Sequence, residues 1–167
     1  MERLDLLSIN QHAPYIVLFD GTSYLFKTSI GVRIAVQFAL EKQIKFLTGY
    51  WFGIKVITDD VKQEPIRDEK IRETIICILD EFFSKNPDYI LYLCEFDDDR
   101  QASRNRMFRS WFNTYELKER YIYQDKKVKL KGKYTFVCLV VPKSHPMCDE
   151  IAGFFNEVID IFTSNKP

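Results

Sequence analysis

The chain has 167 residues, 46% hydrophobic and 15% aromatic, enough to bury an ordinary core, and this points to a single globular domain over 1–167. Twenty-four lysines and arginines are balanced by twenty-four aspartates and glutamates, which excludes the overall basic field of a general nucleic-acid binder and leaves only local contacts of that kind. The four cysteines form no CxxC pair, the start MERLDLLSINQHAP lacks the basic-then-apolar order of a signal peptide, and no window reaches the roughly eighteen uninterrupted apolar residues of a membrane helix. Reduced thiols, a cytoplasmic location and no membrane partner are the expectation.

In chain order, residues 1–14 carry Leu4, Leu6, Leu7 and Ile9 before a polar QHAP turn, which reads as a docking arm or a frayed end. Tyr15 to Phe19 is a short apolar strand. Asp20-Gly21 signals a turn into YLFKT, and beyond Gly31 the alternation of Val32, Ile34, Val36 and Phe38 with Arg33, Ala35 and Gln37 predicts a hairpin. Tyr50 to Ile57 supplies a further strand of aromatic and β-branched residues, with Gly53 as a candidate bulge. The polar DDVKQEP at 59–65 breaks the strand period. A helix follows, with Asp68 as N-cap, Ile71, Ile75, Ile78, Leu79 and Phe82 on one face, and Asn86-Pro87 as the stop.

The stretch PDYILYLCEFDDDRQASRNRMFRSWF, 87–112, organises the second half. Its apolar run from Tyr89 to Phe96 suits a strand covered on both faces. Asp97, Asp98 and Asp99 stop the run, and a helix follows with Ala102, Met107, Phe108, Trp111 and Phe112 on one side and Arg100, Arg104, Arg106 and Arg109 between them. Tyr115 to Tyr123 reads as a strand, the lysine-rich KKVKLKGK as a turn around Gly132, and Tyr134 to Val141 as a buried strand closed by Pro142. A last helix places Ile151, Phe154, Phe155, Val158, Ile159 and Phe162 on one stripe. The expected fold is α+β: a mixed, mostly antiparallel sheet of six or seven strands with three main helices.

No complete catalytic set is present. His145 and Cys148 stand three apart at the start of the last helix, where the dipole favours a thiolate, but the sequence places no acid to orient the histidine. Two histidines without CxxC or HxxxH argue against a metal, and the Asp97–Asp99 run reads either as a hard-cation site or as a solvated turn in which Asp99 caps the next helix. Arg100 and Arg104, four apart at a helix start, form the candidate ligand site: two guanidiniums and a helix N-terminus can grip a phosphate or carboxylate, unless the nearby acids absorb them in ion pairs. Lys127, Lys129 and Lys131, near Tyr123 and Tyr134, are the candidate nucleic-acid contacts, and they serve equally to protect an exposed hairpin from pairing with another chain.

The order hairpin, strand, helix, buried strand, helix, strand, strand over about residues 23–141, with LYLCEF, DDDRQASRNRMF and the strands around Tyr121 and Phe136, resembles the core of the GNAT-type acyltransferases. That family cradles acyl-CoA pyrophosphate in a Gln/Arg-x-x-Gly-x-Gly/Ala loop. This chain has VKQEPIRDEKIR there, with no glycine and with Asp68 and Glu69 repelling a phosphate, and Phe108 stands where the family's tyrosine acid would fall. The resemblance implies a GNAT-like core without its acyl-CoA motif and with no cofactor. Asp68-x-x-Ile-Arg-x-Thr-Ile-Ile, the strand ending in Cys94, Arg100-Gln101-Ala102-x-Arg104-x-Arg106-x-Phe108-x-x-Trp111-Phe112 and Tyr-x-Phe-x-Thr-x-x-Gly at 24–31 resemble an uncharacterised domain-of-unknown-function family of Bacteroidetes-type bacteria, over about 20–160. That resemblance implies a bacterial cytoplasmic setting only and carries no activity over to this chain. The leading reading is a non-enzymatic domain that binds a protein or a small anionic ligand. The alternatives are a degenerate GNAT-like acyltransferase with an altered cofactor loop, which needs strands 50–57 and 89–96 to splay, and a nucleic-acid-binding accessory protein.

Overall fold

The computed structural model describes residues 1–57, 68–95 and 98–164, without the side chains of Val158, Ile161, Phe162 and Ser164. The polar stretch at 59–65, most of the altered acyl-CoA loop, Phe96 and Asp97 therefore lie outside the described residues. In chain order the elements are α1 (Leu6–His12), β1 (Leu18–Phe19), β2 (Tyr24–Lys27), β3 (Arg33–Leu40), β4 (Gly49–Ile57), α2 (Glu69–Lys85), β5 (Tyr89–Leu93), α3 (Gln101–Phe112), α4 (Tyr115–Arg120), β6 (Tyr121–Leu130), β7 (Lys133–Pro142) and α5 (Cys148–Ser164). The fold is α+β, with a seven-stranded, mostly antiparallel sheet in the order β1-β2-β3-β4-β5-β7-β6. The chain packs as two compact units, Met1–Ala39 with Phe52–Pro87 and Leu40–Trp51 with Asp88–Pro167.

In the first unit the caps of α2 follow the sequence closely. The Asp68 carboxylate accepts the Lys70 N–H at 2.9 Å, and the Asn86 N–H closes the far end on the Phe82 carbonyl at 2.7 Å. Between them Ile71, Ile75, Ile78, Leu79 and Phe82 are buried, and the Phe82 ring stacks on Phe38 of β3 with centroids 4.3 Å apart. Residues 1–14 contain α1, N-capped by Asp5, and pack on α2: Leu4 and Ile9 are buried, the Glu2 N–H donates to Asn86, and the Asp5 N–H donates to the Glu81 carboxylate.

In the second unit β5 is buried from Tyr89 to Tyr92, as its unbroken apolar run predicts. α3 centres on Phe108, whose ring meets Tyr92, Trp111, Phe112 and Tyr123. Three expectations are corrected here. Tyr115–Arg120 is helical rather than extended; Leu117 is buried, and Glu116 in the first turn with Lys118 and Arg120 in the last complements the helix dipole. The lysine-rich segment is strand up to Leu130, with Val128 and Leu130 buried and Lys127 and Lys129 exposed. Its turn is only Lys131-Gly132, both at positive φ (49° and 80°), the geometry that matches the twist of a two-residue hairpin. Finally, Ile151, Phe155 and Ile159 form the inner stripe of α5, while Phe154 is 46% exposed and lies off it.

Candidate functional site

The site grows out of the β1–β2–β3 register in the first unit. Leu18 pairs with Leu25, Leu25 with Ala35, and Lys27 with Arg33. Side chains alternate along a strand, so Leu25, Lys27 and Arg33 share one face while Tyr24, Phe26, Ile34 and Val36 fill the core from the other. The first face keeps apolar surface that the core does not use: Leu18 is 62% exposed and neighbouring Ile16 67%. Together with Pro14, Tyr15, Phe26 and Ile57 these residues line a cleft of about 550 Å³, within the usual size of small-molecule sites.

Hydrogen bonds fix its walls. The Tyr15 ring stacks on Phe26 with centroids 6.0 Å apart and planes 11° apart. The Tyr15 hydroxyl donates to the second carboxylate oxygen of Asp68 and accepts the Ser29 N–H at 3.4 Å, so one phenol ties the cleft to the N-cap of α2. Val17 is clasped by the Asn10 side chain, its N–H donating to Oδ1 at 2.8 Å and its carbonyl accepting from Nδ2 at 2.9 Å. The β2–β3 turn depends on Gly31 (φ 87°), and its Thr28 N–H to Val32 carbonyl bond of 2.8 Å sets the strand ends that carry Lys27 and Arg33. Lys27 has no ion-pair or hydrogen-bond partner among the described residues. Among the described residues the lining is apolar side chains and the Tyr15 ring, with the cations Lys27 and Arg33 at its end.

The candidates named from the sequence lie in the second unit. Arg104 donates to both Asp98 carboxylate oxygens, at 2.6 and 2.5 Å, and to the Glu95 carbonyl at 2.8 Å. These bonds hold the Asp98 carboxyl at about 2, well below the usual carboxylate range. The backbone N–H of Arg100 also donates to Asp98, at 3.2 Å. Arg109 makes a two-point pair with Asp125 at 2.7 and 2.8 Å, and Arg106 reaches Ser103. Asp99 does not cap α3. Arg100 holds the cap position, while Asp99 adopts φ 58° and pairs with Lys133 at 3.0 Å.

Lys127 and Lys129 place their ammonium groups 4.7 and 5.7 Å from the Tyr134 ring centroid, and Lys131 sits in the turn. His145 and Cys148 are not joined: Nδ1 of His145 accepts the Met147 N–H at 3.0 Å, and the Cys148 thiol points to the Lys143 carbonyl at 3.5 Å. Asp88 is the acid near His145; burial pushes its carboxyl up, and the histidine's charge partly offsets that. Among the described residues no cluster of three or more His, Cys, Asp or Glu could hold a metal, and no helix is long and apolar enough to cross a membrane.

The sequence did not single out the cleft. Its available signal was Ile16 and Leu18 alternating with Val17 and Phe19, which leaves apolar residues on both faces of a short strand. In comparison with known proteins, the model of a family of unknown function (DUF6169) matches residues 67–157. No curated protein and no solved structure matches the chain.

Proposed function

The chain belongs to the family of unknown function DUF6169, and from that premise we propose that it is a non-enzymatic, single-domain binding protein of the bacterial cytoplasm whose ligand is a small anion with an apolar body. The observation that carries this reading is the cleft of the first unit, where Ile16, Leu18, Leu25 and Ile57 lead to Lys27 and Arg33 on paired strands. An apolar body removes that exposed surface from water, and a carboxylate or sulfonate at its end meets both cations. The bacterial setting rests on the motif resemblance at 24–31 and 68–112.

The test is displacement of anilinonaphthalene sulfonate, followed by its fluorescence. Dodecanoate is expected to compete, dodecanol and dodecyltrimethylammonium to compete weakly, and Leu25→Asp and Lys27→Glu to weaken the dye without lowering the melting temperature. Equal binding by the folded variants would place the dye elsewhere and end this reading.

The second reading, a degenerate acyltransferase, draws on the element order, in which hairpin, strand, helix, buried strand, helix and two strands follow one another. It predicts acetyl-CoA binding. On the leading reading calorimetry detects none in the low-micromolar range.

A further inference from the structure

We infer that the outer edge of β6 is a docking edge for an extended acidic peptide, which adds to the sheet as a further strand. β6 stands last in the sheet order. Among the described residues β7 is the strand that pairs with it, through register pairs running without interruption from Tyr121 opposite Pro142 to Leu130 opposite Lys133. A terminal strand turns half of its backbone N–H and C=O groups outward, and proteins blunt such an edge by shortness, proline, a bulge or charge. β6 is ten residues long, carries no proline and keeps its register throughout. Of these devices charge remains, supplied by Lys127 and Lys129 in the strand and Lys131 beyond it, while Lys126 is taken by α5, pairing with Asp160 at 3.0 Å.

That charge selects the occupant. A second copy paired edge to edge would set lysine-bearing strands side by side, and like charges across strands are unfavourable. A strand with acids at alternate positions meets the same lysines favourably, while its backbone supplies the alternating donors and acceptors the edge requires. Single-stranded nucleic acid fits less well. Its bases need an open aromatic face, and Lys127 and Lys129 already stand over the Tyr134 ring at 4.7 and 5.7 Å. This edge belongs to the second unit and does not depend on the cleft.

The experiment is fluorescence anisotropy of the full chain with a fluorescein-labelled twelve-residue Glu-Thr repeat peptide, alongside the same peptide with alternate backbone amides N-methylated and an unlabelled twelve-base oligothymidine competitor. The repeat is expected to bind, N-methylation to abolish binding, and Lys127→Glu with Lys129→Glu to weaken it by about tenfold at unchanged melting temperature. Amide exchange in β6 should slow on binding. If the charge reversal destabilises the fold, Lys127→Gln with Lys129→Gln serves instead. Equal affinity of the N-methylated peptide, tighter binding and full competition by oligothymidine, or no binding of the repeat at low salt each overturns the inference.

Discussion

Gly49 lies against the tip of the Tyr89 ring so closely that a Cβ at position 49 would come 2.2 Å from Cζ and 2.3 Å from Cε2. Both residues are buried. The ring cannot retreat cheaply, because Tyr89 packs in the cluster with Ile44, Leu91, Leu139, Ile151 and Phe155. Gly49→Ala is therefore an overpacking substitution and is expected to cost about 1–3 kcal/mol in urea unfolding. Tyr89→Leu in the same chain should recover part of the loss. A free Gly49→Ala would mean the ring has room to move.

The Tyr89 hydroxyl is buried with no hydrogen-bond partner among the described residues, and burial pushes its ionisation well above that of an ordinary tyrosine. A buried unpaired hydroxyl forfeits its hydration, so Tyr89→Phe should hold or raise stability, by about 1 kcal/mol. A clear loss in the same unfolding assay would show that the hydroxyl has a partner in solution.

Much of the fold can be read from the sequence where the determinants are local. Asp68 and Asn86 announce both ends of α2 because a cap is a bond between near neighbours. α4 was hidden by tyrosines at 115, 121 and 123, which favour strands, although only the last two lie in one. Lysine density made 126–130 look like a loop, yet Val128 and Leu130 kept the period of two. The cleft depends on which residue of β2 faces which of β1 and β3, and pairing register is not a local property. The fate of Arg104 was open for a similar reason: the turn that carries Asp98 to it includes a non-glycine residue at positive φ.

Asp98 provides a pH test. Its hydrogen bonds to Arg104 hold the folded carboxyl at about 2, against about 4 in an unfolded chain. A depressed folded value means that the pair stabilises above the unfolded value and that this contribution disappears as pH falls through 2. The Asp98 side chain is 48% exposed, so solvent screening limits the effect to about 0.5–1 kcal/mol. Asp98→Asn should lower the urea midpoint at pH 7 and converge with the parent between pH 4 and pH 2. A gap that stays constant down to pH 2 would rule the pair out as its source.

The four thiols should separate by accessibility. Cys94 and Cys138 are buried free thiols, and the Cys138 thiol is pushed up by hydrogen bonding with the Cys94 thiol and by burial. Cys77 is partly exposed but also raised by burial, and Cys148 is partly exposed. Ellman's reagent on the native chain is expected to modify Cys148 first, Cys77 slowly, and the other two only in denaturant. Rapid release of four equivalents without denaturant would contradict the buried placement.

The Asn10 clasp on Val17 gives the sheet a direction of growth. The Asp20 N–H bonds to the Ser23 carbonyl across the β1–β2 turn, so by the alternation of an antiparallel ladder the Val17 N–H and carbonyl point the other way, where the Asn10 amide takes both. A side chain and the helix behind it thus occupy the place where another strand would join β1. Linear copolymerisation through sheet edges needs two reactive ends per monomer, and among the described residues β6 is the one edge of that type. Addition at β6 is therefore a terminating step, with a stoichiometry of one strand per chain and no fibre as its product.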